Sequence, residues 1–256
     1  MNIRLLTFSL LILFSALAQS SVKYSLNYAR IKPGENVNYT ANWGILSIGT
    51  ASVKVDSRVF RIGNTGCYKI DVQGRTNGLA KLFYVRDSWT SYVDTATIQT
   101  HKSSRSIREG SYQLDEQIDF DHINNKASVK TYNKKTKAFE LKKIYDTPEN
   151  IRDVLAGFMV VRMIELNKLK VGDLFTINGF YEDEGYKIDV IYRGIETIKV
   201  KNKTIRCYKV NPIMPKNSVF DGKNAVDVWL SNDDKQHIVR VKARMFVGSV
   251  VIDQSY

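Results

Sequence analysis

Few residues in this chain have the types and spacing that catalysis or metal binding requires. Its three histidines, His101, His122 and His237, lie too far apart in the sequence for the ligand spacing of a zinc site. The sequence contains no Gly-x-Ser-x-Gly, phosphate-binding loop or His-Glu-x-x-His motif. A triad of His237 with Asp233 or Asp234 and a serine is the one catalytic arrangement to consider. We therefore expect no metal, no cofactor and no catalytic residues, and we favour a non-enzymatic protein.

Cys67 and Cys207 are the only cysteines. A disulfide between them would close a loop of about 140 residues and would stabilise an exported protein by up to about 5 kcal/mol. Both cysteines also lie in apolar stretches, where free cysteines are commonly buried, and a core of this size needs no disulfide. The sequence leaves both states open, a disulfide and two buried thiols.

Arg162 is the charged residue whose surroundings call for an explanation. It lies within the apolar stretch 159–164, and a buried charge has to be paired or directed at a ligand. One interpretation is a salt bridge to a carboxylate of the sheet, such as Asp87 or Glu196. The other is a contact with the anionic headgroup of a ligand. Replacing Arg162 with alanine distinguishes loss of stability from loss of binding.

A second candidate for anion binding is a late strand. Within residues 239–244, basic residues alternate with apolar ones, so one face of the strand carries Arg240, Lys242 and Arg244 in a row. Together with Arg162, these residues form the predicted ligand site. The other interpretation is an exposed strand whose charges keep it soluble and prevent pairing at a sheet edge.

The start of the chain predicts export. Arg4, an apolar run to Leu17 and the Ala16-Leu17-Ala18 ending are typical of a signal peptide over residues 1–18, which would leave Gln19 as the first mature residue. No cysteine lies at the cleavage site to accept lipid, so we expect a periplasmic protein that is not a lipoprotein. No later apolar run approaches the length of a membrane span, and none is expected after signal removal.

The charge of the mature chain restricts its partners. Without residues 1–18 it has 37 basic and 26 acidic residues, a net charge of +11. A basic exported protein meets anionic lipid headgroups or glycans, whereas export separates it from nucleic acid. We expect an anionic or lipid envelope ligand, or a protein partner in the envelope.

Alternating side chains predict that these residues are positioned by β-strands. Residues 36–43 place apolar side chains on one face and polar ones on the other, and the same period of two recurs at 68–72, 118–121 and 186–192. Turn residues separate these runs at short intervals. We predict a mainly β fold whose antiparallel sheet is curved or barrel-like.

One stretch departs from this pattern. Apolar residues at three- and four-residue steps predict one long buried helix over about 148–169, with Thr147 as its N-cap and Gly172 as its stop. It divides a single exported domain, residues 19–256, into β units of about 24–146 and 171–256. The two units look alike in two places: residues 32–35 resemble 170–173, and residues 67–70 resemble 207–210. A duplication and two unrelated units remain alternatives.

Three motifs resemble a family of bacterial exported proteins, the domain of unknown function numbered 3108. They follow in the family's order and span nearly the whole mature chain: Gly34-Glu35, Val37-Asn38-Tyr39, Trp43-Gly44 and Ile48-Gly49-Thr50-Ala51; Asp153-Val154-Leu155, Val161-Arg162 and Leu169 to Asp173; Val228-Trp229-Leu230-Ser231, Asp233-Asp234, Val239 to Val241 and Gly248-Ser249-Val250. The resemblance implies an exported β-rich fold in a Gram-negative cell envelope. It implies no activity, ligand or catalytic residue.

Two classes of function follow from these observations. A binding or carrier module would enclose a hydrophobic or anionic envelope molecule and should have a large apolar pocket. A protein interaction or assembly factor would have a filled core with an exposed edge or patch. A hydrolase acting on envelope polymers is a distant third, which requires converging carboxylates or a histidine of perturbed pKa.

Overall fold

The structure is a computed structural model that describes residues 21–77, 84–213, 225–244 and 248–256. The predicted signal peptide, residues 1–18, lies outside these residues, and export stays a prediction.

Most of the described chain is β-strand, as predicted. Within the described ranges, fourteen strands form one antiparallel sheet: β1 (Asn36–Trp43), β2 (Leu46–Ile62), β3 (Thr65–Thr76), β4 (Arg86–Asp94), β5 (Thr100–Glu109), β6 (Tyr112–Asp121), β7 (Lys126–Asn133), β8 (Ala138–Asp146), β9 (Leu174–Tyr181), β10 (Glu184–Val200), β11 (Lys203–Pro212), β12 (Val226–Ser231), β13 (Ile238–Arg244) and β14 (Ser249–Gln254). In the first half of β1, Val37 and Tyr39 are buried between exposed asparagines, because successive side chains point to opposite faces.

The sheet consists of two meanders that join in its middle. Strands β1 to β8 pair in sequence order, as do β9 to β14, and β14 pairs with β1. The two edges of the sheet are therefore β8 and β9. A short segment before the helix pairs with β9, because Arg152 forms a parallel bridge to Gly179. The side chain of Lys142 in β8 also reaches Asp183 in the β9–β10 turn. The predicted curved, barrel-like sheet is confirmed.

The helix is shorter than predicted. Helix α1 spans Val154–Met163, and its N-cap is Asp153, whose carboxylate accepts the N–H of Ala156. The expectation of Thr147 as N-cap was wrong, since residues 149–150 form a turn in which Asn150 has φ +55°, and Arg152 then exchanges backbone hydrogen bonds with β9. Beyond α1 the chain forms a separate 3-10 turn at Leu166–Lys168, so Gly172 does not end the helix.

Helix α1 fills the concave side of the sheet. Seven of its ten residues are buried, which confirms the prediction that the helix is buried, and it packs mainly on β9 and β4. Around it lie fully buried side chains such as Ile70, Phe175 and Leu230. Burial of an apolar side chain of this size contributes about 1.5–3 kcal/mol. The interior of the described sheet is therefore a packed core around the helix.

The two β units begin in the same way. Gly34, with φ +85°, donates its N–H to the carbonyl of Val55, and Gly172, with φ +97°, donates to Tyr192. The residue after each glycine accepts the N–H of that same partner. A long strand of 17 residues follows as the second strand of each unit, β2 and β10. The two units therefore share these hydrogen bonds at their starts, as a duplication would produce; the sequence left a duplication and two unrelated units as alternatives.

The cysteines lie in the third strand of each β unit and are free. Cys67 lies in β3 and Cys207 in β11, and each thiol points at the carbonyl two residues earlier, at 3.8 Å and 3.7 Å. Five strands separate β3 from β11 in the sheet order. Burial raises the pKa of each thiol to about 11. Of the two predicted states, the structure contains the buried thiols and not the disulfide.

Candidate functional site

Arg162 lies in the last turn of α1, and its side chain is only 3% exposed. Its guanidinium donates to both carboxylate oxygens of Glu35, at 2.6 Å and 3.1 Å. Such a bidentate pair is the stronger form of an arginine–carboxylate interaction. The prediction of a salt bridge is confirmed, but the partners expected from the sequence were wrong. Glu196 instead accepts from Lys209, and Asp87 accepts the backbone N–H of Arg108.

Glu35 connects this pair to the other side of the fold. It lies just before β1, and its second oxygen faces Nε2 of His237 at 3.4 Å. Burial favours the neutral acid, but the hydrogen bonds from His237 and Arg162 outweigh it and lower the pKa of Glu35 to about 2. The carboxylate is therefore ionised at neutral pH and neutralises Arg162.

Two further side chains fasten the end of the helix beside this pair. Gln236 donates to the carbonyls of Arg162 and Ile164, both at 2.9 Å. Arg30 donates to the carbonyl of Ile164 at 2.8 Å. The last carbonyls of a helix have no partners within it, so these contacts satisfy groups that would otherwise be buried unpaired. The surroundings of Arg162 are therefore those of a structural joint, not of a ligand contact.

On the solvent side of His237 the protein has an open hollow of about 650 Å³. Its walls come from β11, the β12–β13 turn and the end of β14. Basic, acidic, amide, hydroxyl and apolar side chains share the lining: Lys203, Thr204, Ile205, Ser231, Asp233, Lys235, His237, Gln254 and Tyr256. A hollow of this size with two exposed lysines in its lining suits a small anion.

Two lysines and one acidic residue contribute charge to the hollow. Asp233 accepts from the hydroxyl of Ser231 at 2.8 Å and from the backbone N–H of Gln236 at 2.9 Å, so it holds the turn while it keeps its negative charge. Lys203 stacks over the ring of Tyr256 with Nζ 4.0 Å from the centroid. A cation on an aromatic face gains about 0.5–1 kcal/mol at an exposed site, less than a charged hydrogen bond, so an anion can recruit it.

The catalytic arrangement considered from the sequence is not formed here. The hydroxyl of Ser231 donates to Asp233 and accepts the backbone N–H of His237. Nε2 of His237 faces Glu35. A hydrolytic triad needs a serine hydroxyl that donates to the imidazole, and this serine is already engaged elsewhere.

Comparison with known proteins shows which family the chain belongs to. Residues 38–255 match the family described as protein of unknown function (DUF3108). The chain belongs to this family. Comparison with curated proteins finds no match. Among solved structures, it is similar to a beta-barrel-like protein of domain of unknown function DUF1849 from Brucella abortus, with a TM-score of 0.52, 8% identity and coverage of 88% of this chain and 97% of the other. At this identity the likeness concerns the fold alone.

The predicted basic strand of the DUF3108 protein is β13. Arg240 and Arg244 are each paired with a carboxylate of a neighbouring strand, Asp253 and Asp227, both at 2.5 Å. Among the described residues no ion pair includes Lys242. The three side chains do share one face, but two of the charges are compensated, so this face offers an anion less than the hollow does.

His101 and His122 are separated in the sequence but contact each other in the structure. The rings of His101 and His122 are 5.1 Å apart, edge to face, because β5 and β6 are neighbours. His122 bonds the carbonyl of Thr100 at 2.8 Å, and burial lowers the pKa of His122. The spacing of the histidines in the sequence did not indicate this contact. Within the described ranges, no group of three histidine, cysteine or acidic side chains is arranged for a metal.

The interior of the DUF3108 sheet holds a small cavity at the start of α1. Its volume is about 30 Å³, close to that of one water molecule, and it is lined in part by Trp89, Asp153 and the buried ion pair of Arg105 with Glu116. Burial raises the pKa of Asp153.

No helix of the described residues is long and apolar enough to cross a bilayer.

Proposed function

We propose that this DUF3108 protein is an exported, non-enzymatic binding module that holds the anionic headgroup of an amphipathic molecule of the bacterial cell envelope. The observation that carries the proposal is the hollow beside His237. It combines two lysines, Lys203 and Lys235, with the hydroxyl of Thr204 and an apolar wall.

The chemistry of the lining selects the ligand class. Lysine ammonium groups and hydroxyls donate to phosphate or carboxylate oxygens, and charged hydrogen bonds contribute about 1.5–3 kcal/mol each. Ile205 and Tyr256 offer an apolar surface to a short tail. The hollow is open, so it would hold a headgroup and leave most of a longer chain outside. This differs from a carrier that encloses its cargo, since α1 occupies the concave side of the sheet.

Binding of octyl phosphate should depend on the two lysines. We expect the double variant Lys203→Ala, Lys235→Ala to bind this probe at least about tenfold more weakly in isothermal titration calorimetry, because each change removes a charged donor. The matched control is Lys135→Ala, Lys187→Ala, two exposed lysines outside the hollow. Equal loss in both double variants, or none in either, would contradict the proposal.

Export should leave a mature chain that starts at Gln19. The basic, apolar and Ala-x-Ala parts of residues 1–18 support this. Intact-mass measurement of the protein from a periplasmic fraction should show a chain lacking 18 residues. A full-length chain in the cytoplasmic fraction would refute export.

A second candidate function is protein interaction at the sheet edge. Strand β8 is an edge strand in which eight of nine residues are exposed, and Phe139 and Leu141 are among them. An extended segment of a partner can add to such an edge. Native mass spectrometry of the mature protein from its own cells separates the two candidates, since a bound small molecule favours the hollow and a bound chain favours the edge.

A further inference from the structure

The β1–β2 hairpin ends in apolar side chains at its outermost point. Trp43 and Leu46 pair across a two-residue turn of Gly44 and Ile45, and Gly44 has φ +58°. Ile45 is 100% exposed, Leu46 63% and Trp43 43%. Two-residue hairpin turns usually contain Asn or Asp with Gly, so a fully exposed isoleucine at this place is not required by the turn. The tip therefore presents three large apolar side chains to the outside.

Contacts with neighbouring residues hold the tip of the hairpin in place. Trp43 pairs on its other side with Val250 of β14, so the hairpin is anchored in the sheet on that side too. Its indole lies against Gly248, where an added Cβ would come within 2.5 Å of the ring nitrogen. Only glycine leaves room for the indole at that position, and Gly248 also has φ +75°. The position of Trp43 is thus set by its neighbours.

Two exposed arginines lie on the sheet next to this hairpin. Arg75 of β3 and Arg86 of β4 are directly opposite each other, and both are exposed. Arg75 also lies opposite Thr50 of β2 and donates to its hydroxyl at 3.5 Å. Like charges opposite each other in a sheet are destabilising, and no carboxylate within the described ranges forms an ion pair with either arginine. The pair is suited to an external anion.

The distance between these two features matches the layers of a bilayer. Thr50 and its opposite Arg75 lie five residues from Ile45, roughly 17 Å along the strand at about 3.4 Å per residue. Interfacial segments bury apolar side chains about 5–10 Å into the headgroup and acyl boundary. With the tip at that depth, the arginines reach the level of the phosphates or lie just outside them. Tryptophan is favoured at the same interface.

We propose that the β1–β2 tip docks the protein on a membrane surface with anionic lipid headgroups. Ile45 and Leu46 enter the boundary of the acyl chains, Trp43 lies at the headgroups, and Arg75 with Arg86 binds their phosphates. A lipid surface supplies an apolar layer and, behind it, a layer of negative charge, which is the order that the hairpin and the arginines require. This surface is separate from the hollow, because β14 begins beside the tip and ends in the hollow.

Flotation with lipid vesicles tests the docking. The mature protein should bind vesicles of phosphatidylglycerol and phosphatidylethanolamine in equal parts, and should bind pure phosphatidylcholine vesicles far less. The variant Ile45→Asn, Leu46→Thr should lose at least about tenfold in binding, because both apolar anchors are gone. The variant Arg75→Gln, Arg86→Gln should bind less and with a weaker dependence on salt.

Ile123→Asn is the matched control. Ile123 is an almost fully exposed isoleucine in the β6–β7 turn, at the other end of the sheet, and its replacement should leave vesicle binding unchanged. Thermal unfolding of each variant checks that it is folded. The proposal is overturned if the wild type does not float with the anionic vesicles, if Ile123→Asn loses as much binding as the tip variant, or if the tip proves necessary only for capture of a protein.

Discussion

Replacing Arg162 with alanine should lower the free energy of unfolding by about 3–5 kcal/mol, because it leaves Glu35 as an uncompensated buried charge. Equilibrium unfolding in urea at neutral pH measures the effect. Binding of octyl phosphate to the folded fraction should be unchanged, since Arg162 does not line the hollow. A variant that keeps its stability but loses the ligand would make Arg162 a binding residue, the other interpretation of the sequence.

Arg58→Ala is the control for this prediction. Arg58 also pairs with a carboxylate, Asp56 at 3.3 Å, but its side chain is 74% exposed, and exposed ion pairs contribute about 0–1 kcal/mol. A double variant Arg162→Met, Glu35→Leu should recover much of the stability, because replacing both members of a buried pair with apolar side chains removes the unpaired charge. Equal losses in Arg162→Ala and Arg58→Ala would contradict the assignment of a buried structural pair.

Acid should destabilise the wild type more than the variant Glu35→Gln. The pKa of Glu35 is about 2 in the folded protein and 4.5 ordinarily, so its contribution to stability is complete above the ordinary pKa and is lost as the pH falls towards 2. The shift corresponds to about 3 kcal/mol. Between pH 5 and pH 2 the wild type should lose about that much more stability than Glu35→Gln.

Comparing the two proteins isolates Glu35. Burial raises the pKa of Asp153, which has the opposite dependence on pH, but Asp153 is present in both proteins and its effect cancels. Urea unfolding at a series of pH values gives the two curves. Parallel curves from pH 5 to pH 2 would show that Glu35 has no lowered pKa. The assignment of the Arg162–Glu35 ion pair as a structural contact between α1 and the start of β1 would then be wrong.

The strand pattern of this protein could be predicted because it depends on local properties. Alternating side chains in residues 36–43 imply one buried face whatever the strand pairs with, and residues 36–43 are β1. The core of the helix was predictable for the same reason. Its start was not, because residues 148–152 continue the helical pattern but contain a turn and pair with β9 through Arg152, a contact that local periodicity does not contain.

The candidate site was predictable only in part. The sequence identified Arg162 as a buried charge that needs a partner, but Glu35 lies 127 residues away and one of many carboxylates was as plausible as another. The hollow was missed because its lining comes from three separate parts of the chain, β11, the β12–β13 turn and the end of β14. Its basic residues have no common spacing that a sequence pattern could reveal.

The amino-acid sequence by itself determined a β-rich chain with one buried helix and a resemblance to its family, since these follow from short-range periodicity and ordered motifs. The tertiary structure decided the pairing of β14 with β1, the partner of Arg162, the free state of the cysteines and the places where charges meet. These depend on which distant strands become neighbours. That choice is made by the packing of the whole sheet around α1, and no local pattern specifies it.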